Sequence, residues 1–99
     1  MSLPEKQLVL ALQAIADPTR LKILRLLKQK GACSIDKNEG LCARDIEDQV
    51  KLAQSTVSHH MSVLRKAGLV DAEKLGLWMW YRRNEKVLKQ LGEAVSRAV

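Results

Sequence analysis

The stretch that decides the fold is residues 52–68, which read LAQSTVSHHMSVLRKAG. Within it, side chains that favour the interior recur at the spacing of one helix face: Val57, His60, Met61 and Leu64. This i, i+3, i+4, i+7 pattern predicts an amphipathic helix over about residues 54–67. Gly68 follows directly, and glycine is the residue that most often ends a helix.

The opposite face of this predicted helix carries short side chains that form hydrogen bonds: Ser55, Ser58, His59 and Ser62. Solvated helix faces are usually rich in Glu and Lys, but this face has neither before Lys66, which follows Arg65 at the C-terminal end. A helix that enters a DNA major groove, about 12 Å wide, needs short side chains that reach base edges. The face is therefore more typical of a recognition helix than of an ordinary solvated surface.

A shorter amphipathic segment precedes this helix. Ala43, Ile46 and Val50 recur at helical spacing for about two turns, and residues 51–53 then interrupt the pattern. Two helices joined by a turn of three or four residues form a helix-turn-helix. We expect this unit to span residues 43–67.

Two segments with strand character follow, residues 69–74 and 77–82, on either side of Leu75-Gly76. Glycine supplies the positive φ of a tight hairpin turn, so the pattern predicts a β-hairpin, or wing, over residues 69–82. A wing beside a recognition helix can lay Lys74 or Arg82 along a phosphate backbone.

All three aromatic residues of the chain lie in this hairpin: Trp78, Trp80 and Tyr81. Aromatic rings beside basic residues can stack on single-stranded bases. Aromatic residues at strand spacing more often pack in a core, and the preceding helix already accounts for binding to a duplex. We therefore expect these rings to anchor the wing.

The two ends of the chain are predicted to be helices that meet a second copy. Residues 5–16 are apolar around most of the helix circumference, so this helix must be covered on two sides. Asp17-Pro18 then predicts a capped second helix with Leu21, Leu24 and Leu27 facing inward. Residues 30–41 lose this periodicity and are predicted to form a connecting loop. Asn84 predicts the start of the last helix. We expect residues 1–16 and 84–99 to dimerise through apolar side chains, namely Leu8, Val9, Leu12, Leu88, Leu91 and Val95. The alternative is that these two helices pack on the core of their own chain.

Length and charge agree with this architecture. A chain of 99 residues permits one small domain that is only marginally stable alone, which also favours a dimer. The net charge is +6, and residues 51–99 hold nine basic and four acidic side chains. The positive charge lies mainly in the half that contains the predicted recognition helix and wing, and it points to an anionic partner.

The composition also bears on localisation. The longest apolar run, residues 8–12, is far shorter than the roughly 20 residues that span a bilayer, and it is too short for the core of a signal peptide. With two cysteines there is no disulfide framework. We expect a cytoplasmic protein that does not interact with membranes.

The order of elements and three strings resemble the ArsR/SmtB family of winged-helix repressors. The strings are residues 16–24 (ADPTRLKIL), 52–60 (LAQSTVSHH) and 63–70 (VLRKAGLV), with Tyr81 in the wing, and the resemblance covers about residues 8–95. It implies a mainly α winged helix-turn-helix fold with a small β-hairpin wing. It also implies a homodimer on a two-fold symmetric operator, released by an inducer.

The resemblance and the helix pattern together give a set of candidate DNA contacts. Five positions match the family's recognition helix: Gln54, Ser55, Thr56, Ser58 and His59. Ser62 lies on the same face, and four cations complete the set: Arg65, Lys66, Lys74 and Arg82. His60 matches a family histidine that faces the core, in agreement with the periodicity.

The sensor is where this sequence departs from the family. Metal-sensing members often carry a Leu-Cys-X-Cys-Asp box, whereas residues 41–45 read LCARD, so that Arg44 replaces the second thiolate. No histidine follows His60, which excludes the family's C-terminal Asp/His site. Cys33 and Cys42 remain as candidates for a soft metal or metalloid, or for a disulfide switch. The alternative is that they are ordinary small buried residues, and no cofactor is certain.

The leading hypothesis is therefore a dimeric DNA-binding repressor. A second hypothesis is a winged-helix module for protein assembly that uses the Trp78/Trp80 face. An enzyme would need Cys42 as nucleophile with His59 or His60 as base. These histidines lie on opposite faces of one helix and no carboxylate is placed to orient either, so we do not expect an enzyme.

Overall fold

The computed structural model describes residues 3–30, 33 and 39–99. The described residues form five helices and three strands: α1 Glu5–Ile15, α2 Pro18–Lys28, β1 Leu41–Cys42, α3 Ala43–Val50, α4 Gln54–Lys66, β2 Val70–Leu75, β3 Trp78–Arg83 and α5 Glu85–Ala98. The predicted order of helices and hairpin is confirmed, and β1 is an additional strand. Part of the predicted loop between α2 and β1, residues 31–32 and 34–38, lies outside the described residues.

Two predicted helix caps are present. The Asp17 carboxylate accepts a hydrogen bond from the backbone N–H of Arg20 at 2.9 Å, and Pro18 is the first residue of α2. The Asn84 side chain accepts from the backbone N–H of Val87 at 3.1 Å and caps α5. Each cap satisfies a backbone donor that the first helical turn leaves without a partner.

Gly68 ends α4 and directs the chain into the wing. Its φ of +80° is left-handed, and its N–H donates to the Arg65 carbonyl at 2.9 Å. The next N–H, of Leu69, donates to the Leu64 carbonyl at 3.0 Å. These two bonds form a Schellman motif, which closes the end of the helix.

The three strands form an antiparallel sheet in the order β1-β3-β2. In the hairpin, Leu75 pairs with Trp78, so the turn residues are Gly76 and Leu77 and not the predicted Leu75-Gly76. Gly76 has the expected positive φ, +63°. Tight hairpins accept glycine at either central position of the turn, so the glycine alone did not determine the register.

The strand β1 was not predicted, since residues 30–41 were interpreted as a loop. Leu41 pairs with Tyr81 and Cys42 with Trp80, which makes β3 the central strand. The indole N–H of Trp80 donates to the Glu39 carbonyl at 2.9 Å and holds the chain just before β1. Two residues are too few to show the alternation that identifies a strand.

The core lies between the helix-turn-helix, α2 and the sheet. Its largest fully buried side chains include Ile23, Ile46, Met61, Leu64 and Leu69. Leu21, which the helical pattern of α2 placed inside, is 40% exposed. Ile23, Leu24 and Leu27 are the buried residues of α2, and Leu26 packs against the same core while partly buried.

Candidate nucleic-acid interface

The two faces of α4 are as different as the sequence predicts. Val57, Met61 and Leu64 are at most 1% exposed and hold the helix against the core. All six polar side chains predicted to contact DNA from α4 are exposed: Gln54, Ser55, Thr56, Ser58, His59 and Ser62. The helix has 13 residues and is roughly 20 Å long, which suits insertion into a major groove.

His60 lies half-buried at the edge of the core face and is attached to the preceding helices. Its Nδ1 is 3.2 Å from Nη1 of Arg20. Since arginine only donates hydrogen bonds, Nδ1 is the acceptor in this contact. Arg20 also donates from Nε to the carbonyl of Ala14, the residue before last in α1. These contacts of Arg20 join α4 to the α1–α2 junction. The neighbouring His59 is exposed.

The candidate phosphate contacts fall into two groups. Arg65, Lys66 and Lys74 are exposed, and none of them forms an ion pair with a carboxylate in the described part of the chain. Arg82 instead pairs with Glu39 at 3.3 Å and Asp71 at 3.6 Å. Its guanidinium also lies 5.8 Å from the centre of the Trp80 ring. The first group is thus electrostatically available to an anion, whereas Arg82 is already engaged.

The aromatic residues of the wing are mostly inside the protein. Trp80 and Tyr81 are 6% and 9% exposed and belong to the hydrophobic core. Trp78, next to the hairpin turn, is 39% exposed. The two buried rings are not accessible to bases, which agrees with their predicted role as anchors of the wing.

A polar groove beside α4 contains a residue that we did not predict as a DNA contact. The groove measures ≈ 160 Å³ and is lined by Ser58, Met61, Ser62, Arg65 and Tyr81. Tyr81 reaches it from β3, 16 residues along the chain from Arg65. The helix pattern identified the α4 residues, but only the fold shows that Tyr81 lies next to them.

The six predicted dimerisation residues differ in exposure. Val9 and Leu12 on α1 are 46% and 39% exposed, and neighbouring Leu10 is 44% exposed. Leu8, Leu88 and Val95 are half-buried against the core. Leu91 is 5% exposed and packs in the core of its own chain, where α5 meets α1. Of these six residues, the two that are exposed, Val9 and Leu12, both lie on α1.

The candidate sensor thiols are both buried, Cys33 to 9% and Cys42 to 0% exposure. The thiol of Cys42, the residue that immediately precedes α3, donates to Oδ2 of Asp45 in the first turn of that helix, at 3.2 Å. Across residues 3–30, 33 and 39–99, no group of three or more Cys, His, Asp or Glu side chains is arranged to hold a metal ion. Among the same residues, no helix is long and apolar enough to cross a membrane.

Comparison with known proteins agrees with the fold. A family model described as "Bacterial regulatory protein, arsR family" matches residues 17–72. A helix-turn-helix-type transcriptional regulator of Methanocaldococcus jannaschii is 44% identical over 69 residues, 70% of this chain and 68% of that protein. The arsenical resistance operon repressor of Staphylococcus aureus is 35% identical over 86 residues, 87% of this chain and 74% of that protein.

A solved structure extends the match to the whole fold. The solution structure of a homodimeric winged helix-turn-helix DNA-binding domain from Mycobacterium bovis, a possible ArsR-family regulator, superposes with a TM-score of 0.73. It is 25% identical, and the match covers 95% of this chain and 80% of that chain. This chain therefore belongs to the ArsR family of bacterial regulatory proteins and has a winged helix-turn-helix fold.

Proposed function

We propose that the protein is a homodimeric transcriptional repressor that binds a two-fold symmetric DNA operator and leaves it when an inducer binds. The observation that carries this proposal is the exposed row of short polar side chains on α4, next to cations without carboxylate partners. The row can read base edges, and the cations can bind the phosphates on either side.

In this proposal, α4 supplies sequence preference and its surroundings supply affinity. Ser58, His59 and their neighbours are short enough to approach bases closely. Arg65, Lys66 and Lys74 neutralise phosphates and set the register without reading sequence. Arg82 contributes less than these three, because its charge is shared with Glu39 and Asp71.

The dimer follows from the exposed face of α1. Val9 and Leu12, which lie three residues apart on one face of α1, leave adjacent apolar surface in contact with water, which a second chain would cover. The structurally similar domain from Mycobacterium bovis is described as homodimeric. Such a dimer places its two α4 helices on half-sites one helical turn apart, about 34 Å.

The inducer proposal keeps Cys33 and Cys42 as sensors of a soft metalloid or an oxidant. Both thiols are buried, so a reagent must first gain access to them. The test compares DNA release by wild type and by a Cys33→Ser/Cys42→Ser variant with arsenite, Zn²⁺ or peroxide. Identical release by the two proteins under every condition would exclude the thiols as the sensor.

Selection from a pool of random duplexes tests the repressor proposal. The proposal predicts an enriched inverted repeat with half-site centres about one helical turn apart, and affinity for it that falls steeply with salt. The alternative, a winged-helix module for protein assembly, predicts weak binding to duplexes without an enriched sequence. Selection that yields no inverted repeat would favour the alternative.

A further inference from the structure

The groove between α4 and β3, called the α4–wing groove below, has a polar lining on the surface that is proposed to face DNA. Three of its five lining residues, Ser58, Ser62 and Arg65, belong to the exposed face of α4. The groove has a volume of ≈ 160 Å³. By the same measure, a single ordered water needs only roughly 10–15 Å³. The groove therefore has room for a tetrahedral anion such as a phosphate group.

Tyr81 brings a hydroxyl to this groove from the wing. The residue is 9% exposed, and its ring belongs to the core. Among the described residues, the hydroxyl has no side-chain or backbone hydrogen-bond partner. Among the described residues the hydroxyl is not one of the enclosed polar atoms that lack a partner, so its oxygen is open to the solvent of the groove. The hydroxyl is thus placed to bind a group that enters the groove.

Arg65 brings the positive charge. Its guanidinium is exposed and has no carboxylate partner in the described part of the chain, unlike that of Arg82. Burial raises the pKa of the Tyr81 phenol above its ordinary value, and the charge of Arg65 acts on that phenol in the opposite direction. At neutral pH the groove therefore presents a hydroxyl donor and a cation to the same volume.

We propose that the α4–wing groove binds one phosphate of the DNA backbone, through the guanidinium of Arg65 and the hydroxyl of Tyr81, with Ser58 and Ser62 at its edge. A guanidinium and a hydroxyl can each donate to a non-bridging phosphate oxygen. This inference rests on the proposed DNA-binding function and adds Tyr81 to it. Because one phosphate would contact both α4 and β3, it would set how deeply α4 enters the major groove.

The test uses five variants and a titration of duplex over a salt series. Tyr81→Phe keeps the buried ring and removes only the hydroxyl. Arg65→Gln removes the charge in the groove, and Lys66→Gln is the matched control because Lys66 is exposed on the next position without lining the groove. The last two variants combine Tyr81→Phe with Arg65→Gln and with Lys66→Gln, and thermal melting verifies that each variant is folded.

We expect Tyr81→Phe to weaken binding to selected and random duplexes alike, by roughly tenfold to 150-fold, the range for one hydrogen bond to a charged group. Its salt dependence should match that of wild type, because no charge is lost. Arg65→Gln should reduce the slope of log K against log salt by about 0.9. Two groups that bind one phosphate are coupled. In the Arg65→Gln background, Tyr81→Phe should therefore weaken DNA binding by less than about twofold. In the Lys66→Gln background, it should weaken binding as much as it does in wild type.

A second measurement needs no substitution at Tyr81. It is the only tyrosine in the chain, so a ring-labelled sample gives one NMR signal. Added duplex should shift this signal in wild type and Lys66→Gln, and much less in Arg65→Gln. Wild type that binds no duplex would overturn the proposed function and this inference together. Wild type that binds, with an unshifted signal or with equal affinity in Tyr81→Phe, would overturn the phosphate site alone.

Discussion

At the residue scale, Asp17 and Arg20 organise the junction between α1, α2 and α4. The Asp17 carboxylate accepts from the Arg20 N–H, while the Arg20 side chain reaches the Ala14 carbonyl and Nδ1 of His60. The hydrogen bond from the Arg20 backbone, helped by the charge of Arg20, lowers the pKa of Asp17 below 3.8. The folded state therefore favours the ionised carboxylate.

This shift makes part of the stability depend on pH. With a folded pKa below the unfolded value of 3.8, Asp17 stabilises the protein above pH 3.8, and this contribution is lost as pH falls through the folded pKa. Asp17→Ala should lower the melting temperature at pH 7, and its difference from wild type should shrink in acid. Asp17→Asn keeps a good helix cap that does not titrate, so it should lower the melting temperature at pH 7 less than Asp17→Ala does.

Melting curves followed by circular dichroism at pH 7 and at several values below pH 4 measure these effects. A difference between Asp17→Ala and wild type that is constant with pH would contradict the ionised cap.

The caps illustrate which residue contacts a sequence can predict. Asp17 and Asn84 act within three residues of themselves, so their roles follow from local sequence. The contact between Arg20 and His60 joins residues 40 apart and depends on how α2 packs on α4. For the same reason, the carboxylate partners of Arg82 were not predicted, since Glu39 and Asp71 lie on other segments.

At the scale of elements, the helices were predicted well and the sheet less completely. A helix of 11 to 14 residues repeats its apolar pattern several times, as α4 does. The strand β1 has two residues and exists because β3 offers it an edge. Its pairing is a tertiary contact, so nothing local to residues 41–42 identifies it.

Two glycines provide a matched test of how β1 reaches the sheet. Gly40 and Gly76 both have left-handed φ, +75° and +63°. A Cβ at Gly76 would meet nothing within 4 Å, whereas a Cβ at Gly40 would overlap the carbonyl oxygen of Tyr81. Gly76→Ala should therefore cost about 1–2 kcal/mol of unfolding free energy, the left-handed penalty alone. Gly40→Ala should cost about 1–3 kcal/mol more, because the backbone must also move.

Chemical denaturation of the two variants measures this difference. Equal losses for Gly40→Ala and Gly76→Ala would mean that the chain before β1 does not pack closely against β3.

At the scale of the whole molecule, the exposed apolar face of α1 predicts how two copies meet. Val9→Glu places a charge on that face and should weaken self-association at least about tenfold, because an unpaired charge would be buried. The variant should still fold, since Val9 is 46% exposed. Leu21→Glu is the matched control, because Leu21 is 40% exposed on α2, outside this face.

Sedimentation over a range of protein concentrations distinguishes these variants. A dimer that is as stable in Val9→Glu as in wild type, or one that is lost in Leu21→Glu, would move the interface away from α1.

The family followed from three short strings of sequence and the order of the elements, and the exposed face of α4 followed from the periodicity of a single helix. The α4–wing groove did not, because it forms only where Tyr81 of the central strand meets α4. A site built from one helix can thus be predicted from periodicity, whereas a site shared between a helix and a strand needs the fold.

The central claim is that α4 reads DNA sequence, and one comparison tests it most directly. The measurement is the affinity of wild type and of Ser58→Ala/His59→Ala for the selected duplex and for a random duplex in the same buffer. The account predicts a loss of roughly 1–3 kcal/mol per base contact on the selected duplex and little change on the random one. Equal losses on the two duplexes would contradict it, because these side chains would then contribute affinity without reading sequence.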